Sequence, residues 1–241
     1  MSRFLGGLAP GRRILLVAAT PLEGQAIARG LSVGLDLAPD PPRAWGPYAL
    51  TDQIDLVISG PGKVNAAAIT ALAVKPERHA AVISVGIAGS LPGSGLAVGD
   101  VVAANACVYA DEGVQTADGF EDLAAMGFPM GPWDGDGSRG GSTLPVAELL
   151  LGWMALLTPK LVRIATVSTC SGTDAGAEEV VRRTGAQAEA MEGAAVAHVA
   201  ALLGVPGGEL RAISNTTGER SRQVWNIKAA LAALERTISR I

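Results

Sequence analysis

Six short apolar runs, each ending in Gly, Ser, Thr or Asn, constrain this chain more than any other feature. They are "RILLVAAT", "IDLVISG", "AVISVG", "GDVVAAN", "LVRIATVS" and "ELRAIS". Few of them alternate apolar with polar residues as a half-exposed strand would, so they read as strands buried on both faces. Helix-like stretches lie between most of them, at residues 22–30, 63–73, 174–183 and 193–203. Buried strands with helices between them predict a three-layer α/β/α sandwich around a mixed, twisted central sheet. A final helix is marked by Ile227, Leu231, Leu234, Ile238 and Ile241, which recur at steps of four and three and so form one apolar stripe. With 241 residues, 49% of them apolar and 17% charged, the chain can bury a large core, and residues 1–241 are expected to form one domain. Residues 110–143 show little periodicity, and 129–143 within them are expected to be a flexible loop.

Composition removes several classes of function. A net charge of -4 leaves no basic footprint for nucleic acid. No apolar run reaches the roughly 18 residues of a membrane helix, and the N-terminus lacks the order of a signal peptide. A soluble, cytoplasmic protein is expected. The two cysteines, Cys107 and Cys170, are far apart and outside any CxxC, so both are expected to be buried free thiols. Two scattered histidines complete no ligand set, and neither a metal nor a cofactor is expected. His79 is read as solvated and His198 as packed within a helix. Walker, GxGxxG and GxSxG motifs are absent from the settings they require.

Ligands of open α/β sheets bind beyond the carboxyl ends of the strands, so the tips are where chemistry is sought. At the first tip, Glu23 follows Pro21 in the first turn of a helix, where a surface end-charge and a functional acid are equally good readings. "ISGPGKVNAA" reads as a tight turn rather than a phosphate cradle. In "SVGIAGS", Gly86, Ala88, Gly89 and Ser90 let backbone approach a ligand closely. Asp100 reads as a turn residue bonded to nearby backbone. In "AEAMEGAAVAHVA", Met191 and Glu192 precede small residues that allow a helix to pack tightly while the carboxylate points off its end. The last tip carries a neutral amide, Asn215, followed by a polar loop with Arg220, Arg222 and Trp225.

Taken in order, "GKVNAA", "GIAGSL…VGDVV", "AMEGAAVAHVA" and "RAISN" resemble the signatures of the nucleoside phosphorylase and nucleosidase superfamily, in its methylthioadenosine/adenosylhomocysteine nucleosidase branch. Within that branch, "VYADEGVQTADGFEDL…GFP", "TVSTCSGTDAGAEEV" and "RAISNTTGERSRQVWNIKAAL" are most similar to the futalosine hydrolases. The resemblance implies hydrolysis of an N-glycosidic bond, with hypoxanthine released from futalosine in the alternative menaquinone pathway. It implies that Glu23 activates water, that Met191 and Glu192 hold the ribose, and that Asn215 stands where adenine-cleaving relatives carry a catalytic Asp. Ala88 and Gly89 would line the base site. The aromatic that stacks on adenine in those relatives has no counterpart, and Phe120, or else Phe128, is the substitute the sequence offers. Arg220 and Trp225 would meet the 5′ end of the substrate, though a surface arginine and a helix-anchoring Trp remain equally good readings. The resemblance also implies a homo-oligomer acting on a small-molecule nucleoside. Asn215 suits a 6-oxopurine, because its NH2 has two donors for O6 and N7. An adenine nucleosidase, a phosphorylase and a non-catalytic nucleoside-binding protein are the alternatives. The first loop, "ATPLEGQ", offers a carboxylate and no Arg for phosphate, which favours hydrolysis.

Overall fold

The structure, a computed structural model, describes residues 9–35, 47–128, 130 and 141–241. Its first half runs β1 (Arg13–Ala18), α1 (Pro21–Gly30), β2 (Tyr48–Ala49), β3 (Ile54–Ile58), α2 (Lys63–Ala73), β4 (His79–Ser90), β5 (Val101–Tyr109), β6 (Gly113–Thr116) and β7 (Gly119–Asp122). The second half runs β8 (Thr143–Pro145), α3 (Glu148–Leu157), β9 (Leu161–Thr166), α4 (Asp174–Thr184), β10 (Ala188–Ala190), α5 (Gly193–Leu202), β11 (Gly207–Thr216) and α6 (Ile227–Ile238). The six apolar runs are β1, β3, β4, β5, β9 and β11. Most of the residues at their centres are fully buried, as two-sided burial requires.

The main sheet has the order β10-β9-β5-β11-β4-β1-β3-β2, with β8 on the side of β5. It is mixed: β1, β3, β4 and β11 run parallel, whereas β11 meets β5 antiparallel. The sheet also closes on itself. The first half of β4 pairs with β1, but its last two residues, Gly89 and Ser90, pair with β10. "SVGIAGS" is therefore continuous strand, paired with β11 along its length, while residues 85–88 lie open on the other edge between β1 and β10.

Other expectations need correction. Residues 129 and 131–140 of the expected loop lie outside the described residues, and Thr143 opens a strand that pairs with Val108. The irregular zone before it holds an antiparallel hairpin, β6–β7. His79 is not solvated. It is fully buried, its Nδ1 accepts from Lys75 N at 3.0 Å, and its Nε2 lies 3.1 Å from Asp55. Asp55, also fully buried, binds Arg13 and Arg78 as well, so the amino-terminal ends of β1, β3 and β4 are tied together by charge. Cys107 is buried but Cys170 is exposed, and both are free.

Candidate active site

A cavity of about 500 Å³ opens at the carboxyl ends of β1, β4 and β11. Thr20 caps α1, and Glu23 returns a hydrogen bond to it from the third helical position, a reciprocal capping box. Glu23 is therefore not a surface end-charge: the capping carboxylate is buried and lines the cavity. Its Oε2 accepts from Thr20 N at 2.9 Å and Thr20 Oγ1 at 2.7 Å, and its Oε1 from Ile87 N at 2.9 Å. Burial raises its proton affinity above the usual carboxylate range, against the opposing pull of Arg211 and of those donors. A buried carboxylate of raised pKa beside a cavity is suited to accepting a proton.

Glu192 sits at the amino end of α5. Its Oε1 accepts from Gly62 N at 2.9 Å, and its Oε2 lies 3.1 Å from Arg211 Nη2. Gly62 has φ +92°, a conformation natural to glycine, which aims the N–H of the "GPGK" turn at the carboxylate. That turn holds a protein acid and not a phosphate.

Arg211 organises the floor of the site and was not singled out from the sequence. It is 1% exposed, and it binds Glu209 at 2.8 Å and Ser84 Oγ at 2.8 Å. Burial opposes its charge, but Glu209, Glu192 and Glu23 together keep it protonated. Two charges two residues apart in a core strand must share a face, and Glu209 and Arg211 in "ELRAIS" carried that signal.

Asn215 follows a register shift in the pairing of β11 with β4, between Ile213 and Asn215, which re-aims its side chain. Ser214 Oγ donates to its Oδ1 at 2.8 Å, and its Nδ2 donates to Thr216 O at 2.9 Å. One of the two amide hydrogens is therefore already engaged. With that bond kept, Asn215 has one donor for a base, not the two expected from the sequence.

Ala88, Gly89 and Met191 also line the cavity. At its mouth the Arg220 guanidinium lies 4.8 Å from the Trp225 ring centre, and both bind Gln223 Oε1. Phe120 is elsewhere. On the β6–β7 hairpin it packs under Arg183, 4.1 Å from the ring centre, and neither it nor Phe128 lines the cavity. Among the described residues Trp225 is the aromatic that does. Beyond Arg211, the residues missed include Glu189 and Ser171, which lie on short segments without periodicity.

A partly closed mixed sheet with a carboxylate-lined cavity at its strand ends defines a class. The profile of the phosphorylase superfamily matches residues 13–241. Among curated proteins the chain is similar to the futalosine hydrolase of Acidothermus cellulolyticus, at 38% identity over 224 residues, 92% of this chain and 86% of that protein. It is also similar to the futalosine hydrolase of Streptomyces coelicolor, at 36% identity over 234 residues, 95% of this chain and 94% of that protein. The chain belongs to the phosphorylase superfamily and, within it, to the futalosine hydrolase family. The solved structure of futalosine hydrolase from Helicobacter pylori shares the fold, with a TM-score of 0.69 and 24% identity over 95% of this chain and 94% of that one.

Proposed function

We propose that this protein hydrolyses the N-glycosidic bond of futalosine, releasing hypoxanthine in the futalosine route to menaquinone, as a cytoplasmic homo-oligomer. The relatives' names support the substrate. The observation that carries hydrolysis over phosphorolysis is the charge around Arg211. Three carboxylates, Glu23, Glu192 and Glu209, surround Arg211, the one buried Lys or Arg among the described residues. An incoming phosphate would meet more negative charge than positive, whereas a neutral water would not.

As the glycosidic bond breaks, positive charge builds on the ribose and negative charge on the purine. Glu192, fixed by Gly62 N and Arg211, sets a negative charge and a hydroxyl acceptor under the sugar. Glu23 orients water at the anomeric carbon and takes its proton. Asn215 donates to the departing base. An amide cannot surrender a proton at neutral pH, so the base leaves hydrogen-bonded and collects its proton from water. Arg220 and Trp225 at the mouth suit an aromatic carboxylate at the 5′ end.

Turnover of futalosine in phosphate-free buffer, with release of reducing sugar and no sugar 1-phosphate, is the expected result. Strict dependence on phosphate would overturn the assignment. Self-association is supported by the outer face of α2, where Val64, Ala68, Ala71 and Leu72 are exposed together. A monomer by light scattering would remove that part of the reading.

A further inference from the structure

The loop that follows Asn215 holds a side chain with no part in the chemistry above. Gln223 lines the mouth of the cavity and is half-buried. Its Nε2 donates to Ser171 O and to Gly218 O, both at 2.9 Å. Its Oε1 accepts from Arg220 Nη1 at 2.9 Å and from Trp225 Nε1 at 3.0 Å. A primary amide has two N–H donors and one oxygen with two lone pairs, so every hydrogen-bonding position of this side chain is filled. The arrangement also demands an amide in this orientation. A carboxylate would set an oxygen against two carbonyls, and a flipped amide would do the same while turning its N–H groups on two other donors.

The backbone beneath these groups is tied down independently. Thr217 N donates to Ser90 O at 3.0 Å, Arg220 N to Gly172 O at 2.9 Å and Glu219 N to Asp174 Oδ1 at 2.9 Å. Trp225 is bridged to Asn215, and Asn226 N donates to Ser214 O at 2.8 Å. The path of the loop therefore has ties of its own. What depends on Gln223 is the placing of two exposed side chains at the mouth, Arg220 and Trp225. An exposed arginine samples many rotamers and loses them on binding a ligand. Here the guanidinium is fixed beforehand, against the indole and by the Gln223 oxygen at one nitrogen, which leaves its other N–H groups for an anion.

We propose that Gln223 is a positioning residue that sets specificity at the 5′ end of the substrate, holding Arg220 stacked on Trp225 as a preformed receptor for an aromatic carboxylate. This rests on the reading of the cavity mouth as the 5′ end of the site. The indole supplies an apolar plane for an aryl ring, and the guanidinium supplies a planar fork for its acid group. Both are in place before the substrate arrives, so less conformational freedom is lost on binding. Gln223 itself needs no contact with the substrate, since its four hydrogen bonds are all made within the protein.

The test compares futalosine with inosine, which lacks the 5′ aryl acid, on the wild type, Gln223→Met and Arg220→Ala. Gln223→Met keeps the length of the side chain and removes its hydrogen bonds. Its KM for futalosine should rise about tenfold with kcat within about twofold of the wild type, the mark of lost uniform binding, because two side chains must then be ordered by the substrate. For inosine the specificity constant should be unchanged, or its inhibition constant against futalosine where its turnover is too slow to follow. A purely structural role would move both nucleosides together, and that result, or an unchanged KM for futalosine, overturns the role of Gln223. Gln223→Asn, which withdraws the amide along the chain, gives the same comparison should the Met variant not fold. Arg220→Ala separates the proposal from the reading beneath it. If it lowers the preference for futalosine over inosine and Gln223→Met does not, the positioning by Gln223 alone is wrong. If Arg220→Ala leaves that preference unchanged, the mouth does not bind the 5′ group and the reading itself falls.

Discussion

Glu192 has both oxygens engaged before any substrate enters, one by Gly62 N and one by Arg211. Replacing it with Gln keeps the shape and removes the charge that the proposed mechanism sets beneath the developing oxocarbenium ion. We expect kcat to fall on the order of 10²-fold or more, as for other lost transition-state contacts, in a protein that still folds but melts lower because Arg211 loses one of its buried carboxylates. A near-normal rate in folded Glu192→Gln would reduce the residue to a helix-end charge. At this scale the sequence exposes the residues that stand at chain punctuation. Glu23, Glu192 and Asn215 each end an apolar run or open a helix, so they can be picked out without a structure, and the fold brings them to one cavity. Arg211 and Glu209 hide inside a strand otherwise read as core. Glu189 hides in a three-residue strand that no periodicity marks. Phe120 fails as a base-stacking residue for a different reason. Its neighbours show little periodicity, but the segment is a paired hairpin with its own partner in Arg183.

Elements with a clear period are the ones legible in advance. The stripe of α6 buries Leu234 and Ile238, and α4 has a Thr173 cap and a left-handed Gly185 at its two ends. By contrast α3, "ELLLGWMALL", is apolar all round, leaves Leu149 and Leu156 exposed, and offers no face to read. β10 draws its existence from neighbours on both edges and not from its own composition. The close seating of α5 on the sheet, expected from the small residues after Glu192, has a specific cause in Gly193. A Cβ there would lie 1.9 Å from Glu209 Oε2 and 2.0 Å from its Cδ. Ala194 N also donates to Thr166 Oγ1 at 2.8 Å, which pins the first turn to β9. Gly193→Ala must therefore push away either the helix or the buried Glu209–Arg211 pair. Overpacking of this kind costs about 1–3 kcal/mol. We expect thermal unfolding to move down by that amount and the rate to fall with it, since Arg211 positions Glu192. Unaltered stability and rate would mean that α5 slides freely on the sheet.

Across the whole molecule, chemistry and stability are placed at opposite ends of the same strands. The carboxyl ends of β1 and β4 open on the cavity, and their amino ends are held by Asp55, His79, Arg13 and Arg78. Burial pushes the Asp55 carboxyl up, but hydrogen bonds from Arg78, Arg13 and His79 outweigh it and bring the pKa down to about 2 from an ordinary 3.8. A carboxylate with a depressed folded pKa contributes stability that is complete above its unfolded value and is lost as pH falls through the folded one. At 1.36 kcal/mol per unit, Asp55 supplies roughly 2–3 kcal/mol at neutral pH, lost between about pH 4 and pH 2. His79 acts in the same direction at higher pH. Burial lowers its pKa, so the unfolded chain takes up a proton first and stability begins to decline below about pH 6.5. Its Nδ1 is held as an acceptor by Lys75 N, which leaves Nε2 as the donor to Asp55 in the neutral ring. Asp55→Asn removes the charge that answers two arginines and disturbs this tautomer. Breaking a buried ion pair from one side costs about 3–5 kcal/mol, so the variant should unfold at clearly lower denaturant at pH 7. Its stability should also flatten between pH 4 and pH 2, where the wild type still loses ground. Because the cluster lies a strand's length from the cavity, the pH 7 rate of the folded variant should match the wild type. Parallel stability curves for the two proteins across that acid window would show that Asp55 is not the group whose protonation opens the fold.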